Sequence, residues 1–191
     1  ASLITDESVS NDSNIVFGDT GYIDYDADGN ANDIDENKST TTVPTEVTHA
    51  DGSTSIVYVG GIDTIDTGDG DDIIIGGRFG DMINGRNGDN IVFGDSGHIL
   101  AATVDSLAGQ LHFDGQPITL GRVETIEDTD GGVDTITTLT GYDIVLGGHG
   151  GDMIIVSFIP ETGLAPDSGN IVFGDTGYID YDADGNANDI D

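Results

Sequence analysis

The sequence predicts an all-β fold of short strands wound into stacked coils, capped by antiparallel hairpins and repeated in tandem. Three observations point there. Residues 14–35, NIVFGDTGYIDYDADGNANDID, recur unchanged at 170–191, a period of 156 residues in a chain of 191; long fixed periods mark arrays. Asp63, Asp72, Asp81 and Asn90 are spaced by nine, as are Asp134, Asp143 and Asp152. The composition agrees: 31 of 37 acidic residues are Asp, beside 30 Gly and only four Lys plus Arg, for a net charge of −33. Asp and Gly supply turns and hard-cation ligands. Four basic residues cannot serve a nucleic acid or an anionic membrane surface, so neither is an expected partner. There is no cysteine, hence no disulfide framework and no thiolate metal site.

The repeats set the organisation. Residues 1–13 are expected to end a preceding unit, 14–89 and 90–169 to form two half-repeats, and 170–191 to begin the next unit. A shorter copy, NIVFGDSG, opens the second half at 90–97, and residues 60–83 match 131–154. Rolls are expected at 60–89 and 131–155. Neighbouring copies of the same unit are the expected partners.

Each nine-residue step pairs a Gly-rich turn with an Asp and then an aliphatic residue two positions on: Ile65, Ile74, Ile83 and Val92, then Ile136, Val145 and Ile154. A strand of about three residues would aim its middle side chain inward. Strands one full coil apart stack at roughly 4.8 Å, placing Asp63 over Asp81 and Asp72 over Asn90. Stacked carboxylates repel unless a cation lies between them. Turn carbonyls would complete an all-oxygen shell suited to Ca²⁺.

These segments resemble the RTX (repeats-in-toxin, haemolysin-type) nonapeptide G-G-x-G-x-D-x-U-x. The best matches are Thr67-Gly68-Asp69-Gly70-Asp71-Asp72-Ile73-Ile74-Ile75 and Gly147-Gly148-His149-Gly150-Gly151-Asp152-Met153-Ile154-Ile155. The resemblance implies a parallel β-roll with Ca²⁺ between turns, with Asp63, Asp72, Asp81, Asn90, Asp134, Asp143 and Asp152 as ligands. It also implies secretion unfolded and folding outside the cell. Phe79 at a glycine position, Asn90 for Asp, and Thr138-Leu139-Thr140 in place of the leading glycines depart from the pattern.

A second cation motif lies outside the roll. Asp24, Asp26, Asp28, Gly29, Asn30 and Asp35 fit D-x-D-x-D-G with an acid at position twelve. This resembles an EF-hand calcium loop. Its flanks lack amphipathic helices, which predicts a calcium loop grafted between strands. The second copy supplies Asp180, Asp182, Asp184, Asn186 and Asp191.

Asp51-Gly52 and Asp114-Gly115 predict hairpins at 45–59 and 110–120, with a further strand at 122–126 and a short helical turn at 101–108. Ile73, Ile75, Ile91, Phe93, Ile144 and Leu146 point away from the roll core. Strands apolar on both faces are covered on both, by these hairpins or by a neighbouring unit. Asn170, eighteen residues beyond Asp152, is expected to continue that Asp column, with Val16 and Val172 pointing into a roll core. Gly94-Asp95-Ser96-Gly97 resembles a serine-protease nucleophile motif, but its sister copies carry Thr20 and Thr176. No catalytic role follows. The expectation is a calcium-stabilised structural module of a large secreted, bacterial protein, in a fibre, adhesin stalk or matrix filament. The alternative is the calcium-folded carrier portion of a secreted toxin or hydrolase.

Overall fold

The computed structural model describes residues 3–5, 12–25, 33–40, 45–102, 116–127, 129, 131–156, 169–182 and 186–191. Among them every helix or strand assigned is a strand. In chain order the first six are β1 (Leu3–Thr5), β2 (Ile15–Phe17), β3 (Gly21–Asp24), β4 (Glu36–Ser39), β5 (Thr45–Thr48) and β6 (Thr54–Val57). Next come β7 (Thr64–Asp66), β8 (Ile73–Ile75), β9 (Met82–Arg86), β10 (Ile91–Phe93), β11 (Gly97–Ala101) and β12 (Leu120–Thr125). The last are β13 (Thr135–Thr138), β14 (Ile144–Leu146), β15 (Met153–Val156), β16 (Ile171–Phe173), β17 (Tyr178–Tyr181) and β18 (Ala187–Ile190).

From β7 to β10 the chain alternates between two parallel sheets every nine residues. Their orders are β1-β7-β9-β13-β15 and β16-β14-β10-β8-β2. The aliphatic residue two places after each turn Asp does point inward. Ile65, Ile74, Ile83, Val92, Ile136 and Val145 form one buried cluster, with Val16, Ile154 and Val156 packed against it.

The two predicted rolls are one continuous stack. β9 pairs in parallel with β13, and β10 with β14, although 53 residues separate Ile91 from Ile144. The inserted chain does not cap the stack end-on. It forms a third, antiparallel sheet, β18-β17-β12-β11-β4-β3, along the flank. Ile34, Ile99, Ile118, Leu120, Val123 and Ile179 pack there against Ile73, Ile75, Ile91, Phe93, Ile144 and Leu146. The second sheet is therefore apolar on both faces because both faces are covered. The hairpin β5–β6 turns at Asp51-Gly52 as expected, with Gly52 at φ 82°. The second predicted hairpin and the helical turn fall largely outside the described residues; β12 occupies the strand expected at 122–126.

Each IVF strand is followed by the same corner. β2, β10 and β16 lead into β3, β11 and β17, so the chain leaves the coil for the third sheet after every copy of NIVFGD[ST]G. A Cβ on Gly21, Gly97 or Gly177 would collide with the ring of Phe17, Phe93 or Phe173. Asn170 corrects an expectation: it stacks on Asp143 and β16 joins β14, so it does not continue the column of Asp152. Twenty-seven residues separate Ile144 from Ile171, half a coil more than the eighteen between Ile73 and Ile91. The surplus half-coil moves β16 to the other sheet.

Candidate metal centre

Two columns of polar side chains run along the stack, one at each edge. In the first, Asp63, Asp81, Asp134 and Asp152 each precede a strand of the first parallel sheet. The backbone N–H of Asp63 donates to Asp81 Oδ1 at 2.8 Å, Asp81 to Asp134 Oδ1 at 2.7 Å, and Asp134 to Asp152 Oδ1 at 2.9 Å. One oxygen of each accepting carboxylate is thereby fixed. The other, Oδ2 of Asp81, Asp134 and Asp152, is buried and accepts no hydrogen bond. Buried carboxylate oxygens without a partner are costly.

Glycine leaves room beside each of them. A Cβ built on Gly76 would lie 2.6 Å from Asp81 Oδ2 and would strike the Gly94 carbonyl oxygen. On Gly94 it would meet Asp134 Oδ2 and the Gly147 carbonyl, and on Gly147 it would meet Asp152 Oδ2 and the Gly174 carbonyl. Each cradle thus offers a carboxylate oxygen and a carbonyl oxygen from successive coils. Burial, with the neighbouring Asp134, Asp63 and Asp19 carboxylates, pushes Asp81 up to about 8. Burial and Asp152 bring Asp134 to about 7. Hard oxygen donors, accumulated negative charge and space for a small sphere fit Ca²⁺, which would neutralise the column when bound. Among the described residues no three acidic, His or Cys side chains form one cluster, so carbonyls would make up much of any shell.

The second column alternates: Asn14, Asp72, Asn90, Asp143, Asn170. Asn14 N–H donates to Asp72 Oδ1, Asp72 N–H to Asn90 Oδ1, Asn90 N–H to Asp143 Oδ1, and Asp143 N–H to Asn170 Oδ1. The Asn side chains also donate. Asn14 Nδ2 reaches Asp72 Oδ1 at 3.1 Å and the Asp12 and Thr67 carbonyls. Asn90 Nδ2 reaches Asp143 Oδ1 at 3.0 Å and the Gly88 carbonyl at 2.9 Å. Burial raises Asp72 to about 6, against the donors Thr67 and Asn14.

Asp19 and Asp95 are further acids that the nine-residue spacing does not assign. Asp19 Oδ2 accepts the N–H of Arg78. The carboxylate of Asp95 accepts Gly132 N–H and His149 N–H, stapling one coil to the next. Burial and the carboxylates of Asp134 and Asp152 push Asp95 up to about 8. The signal for both was the thrice-repeated Gly-Asp-[Ser/Thr]-Gly.

The D-x-D-x-D-G loop joins β3 to β4, two antiparallel strands. Asp35 N–H donates to the Asp24 carbonyl at 2.8 Å, which brings the ends of the motif together; Asp26, Asp28 and Asn30 lie outside the described residues. In the second copy Asn186 N–H donates to Asp182 Oδ1 and Asp180 pairs with Arg122. Asp191 closes onto Tyr178 through the backbone, and Asp184 is outside the described residues. No known family, curated protein or solved structure matches the chain.

Proposed function

We propose that this chain is a calcium-stabilised structural repeat of a large secreted, RTX-like protein. Its units would stack end to end into an extracellular fibre, adhesin stalk or matrix filament on a bacterium. One observation carries the reading. β2 and β16, the same Ile-Val-Phe from identical segments, lie at the two outer edges of one parallel sheet. A strand following β16 as β8 follows β2 would extend that sheet without a break. Val172 supports this: it is in register with buried Val145 yet 46% exposed, as a core residue awaiting the next coil would be.

Four strand spacings separate β2 from β16, so each added unit would lengthen the stack by roughly 19 Å. A separate globule of the same chain length is about 40 Å across. Small-angle scattering on polypeptides of one, two and three tandem units, in about 1 mM Ca²⁺, tests this. Constant increments near the smaller figure support a shared core, and mobile beads at the larger spacing reject it. The acidic column supports calcium as the stabilising ion, and extracellular modules bind it at roughly 10⁻⁴ to 10⁻³ M.

A further inference from the structure

Resting on the end-to-end reading above, we infer that the open edge of β3 is the docking site for β12 of the preceding unit. The flanking sheet, as well as the coil, then runs unbroken through every joint, with Arg122 pairing across it. The partner is a second copy of this chain, engaged through its Leu120–Thr125 strand.

The chain carries its own template for this contact. β3 and β17 lie in identical segments, yet β17 sits between β12 and β18, whereas β3 ends its sheet with β4 alone beside it. The backbone shows which edge lacks its partner. The carbonyls of Thr20 and Asp24 accept from Thr40 and Asp35, on the β4 side. In the second copy Tyr178, the counterpart of Tyr22, exchanges hydrogen bonds with Asp191 on the β18 side. Residues two apart on a strand bond toward the same neighbour, so β18 takes the edge that β4 takes in the first copy. On the other edge of β17, Thr125 N–H donates to the Gly177 carbonyl at 3.0 Å. The counterpart of Gly177 is Gly21, which faces the open edge of β3.

The side chains of the template fit only this pairing. Arg122 Nη1 donates to both oxygens of Asp180 at 2.7 and 2.8 Å, and its guanidinium lies 4.1 Å from the centre of the Tyr178 ring. Thr125 Oγ1 accepts the Gly177 N–H at 2.9 Å. Val123 and Ile179 are in register and fully buried. The first copy offers Asp24, Tyr22, Gly21 and Ile23 at the same places. Without a strand over them, Gly21 and Tyr22 are exposed and Ile23 is only half-buried. An open strand edge is a template for a further strand. The spacing agrees as well. Four strand spacings separate β3 from β17 in the flanking sheet, as four separate β2 from β16 in the parallel one. Both sheets advance by four strands per unit, so both stay continuous in one array without slipping past each other.

Cysteine cross-linking tests this, because the chain has no cysteine of its own. Glu124 is in register with Tyr178, the counterpart of Tyr22. Antiparallel partners lie about 4.5–5.5 Å apart at Cα, within disulfide reach. The test uses a polypeptide of two tandem units, in which the second unit brings its own β4 to the place of β18. Glu124→Cys in the first unit and Tyr22→Cys in the second should form a disulfide within one chain on mild oxidation, read by peptide mass mapping. The same two changes placed together in the first unit should not, since three strand spacings, about 14 Å, separate them. Absence of the cross-unit bond in a protein that circular dichroism shows to be folded, or an equally ready bond within one unit, overturns the inference. Should that pair fail to fold, Arg122→Cys with Asp24→Cys, whose counterparts are also in register, decides it by the same readout. Scattering on the same polypeptide separates the failures. Short increments per unit without the cross-link keep the shared core and reject the β12 joint, whereas mobile beads reject the end-to-end reading and the joint with it.

Discussion

Asp134 lies in the column between Asp81 and Asp152, with its Oδ1 already taken by the Asp81 N–H. Its free oxygen makes the residue a liability without metal and an asset with it. Asp134→Asn keeps the acceptor and removes the charge. The variant should be more heat-stable than wild type in chelator and about 1–3 kcal/mol less stable in saturating calcium, the worth of one ion at 10 to 100 times its Kd. Thermal melts in both conditions check the crossover. Gly94→Ala fills a cradle and should cost about 1–3 kcal/mol through overpacking alone, together with an ion.

Acidity follows from the same residues. Without metal, folded Asp81, Asp95 and Asp134 hold their protons up to about 8, 8 and 7, whereas unfolded Asp releases near 4. The folded state therefore binds more protons between those limits. That contribution is full below about pH 4 and is lost as pH rises through 7 to 8. Metal-free protein should melt lower at pH 8 than at pH 5, and the reverse slope would contradict the buried column. The nine-residue spacing made Asp81 and Asp134 legible in the sequence, and the repeated Gly-Asp-[Ser/Thr]-Gly marked Asp95. Asn14 was not placed in its column, because 58 residues of intervening chain hide its step to Asp72.

At the scale of elements, the second parallel sheet carries the load because it is packed on both faces. Phe93, fully buried between this sheet and the flanking one, should cost about 3–5 kcal/mol when changed to Ala. Ile155→Ala, on the open face of the first sheet, should cost under about 0.5 kcal/mol; chemical denaturation separates the two. Asp24→Ala should remove an ion at the β3–β4 loop while the column keeps its own, since their ligands lie on other elements. An unchanged calorimetric ion count would make that loop a plain acidic turn. Short strands and their inward residues were legible from periodicity, and so was the β5–β6 hairpin. The union of two rolls was not: β11, β12 and their connection open a 53-residue gap between adjacent strands. Packing of the insert against the outer isoleucines, a long-range hydrophobic choice, decides where it goes.

The whole molecule shows why identical sequence takes two environments. Ile34 is fully buried against the flank, while its repeat partner Ile190 is 51% exposed. The first copy pairs Ile23 with Asn37, whereas in the second the equivalent Ile179 pairs with Ile190. Across the flanking sheet, Glu36, His98, Glu124, Arg122 and Asp180 form one continuous polar chain over four strands. It uses one of the four Lys and Arg residues of a chain with net charge −33. Self-repulsion of the remaining charge opposes compaction, and bound cations would relieve it. The most direct measurement is far-ultraviolet circular dichroism of the chain in excess chelator, followed by titration with Ca²⁺ to about 1 mM. A melt displaced to far lower temperature in chelator, with the β signal lost at physiological temperature and returning cooperatively with calcium, is the predicted result. A β spectrum unchanged by removing every divalent ion would contradict it.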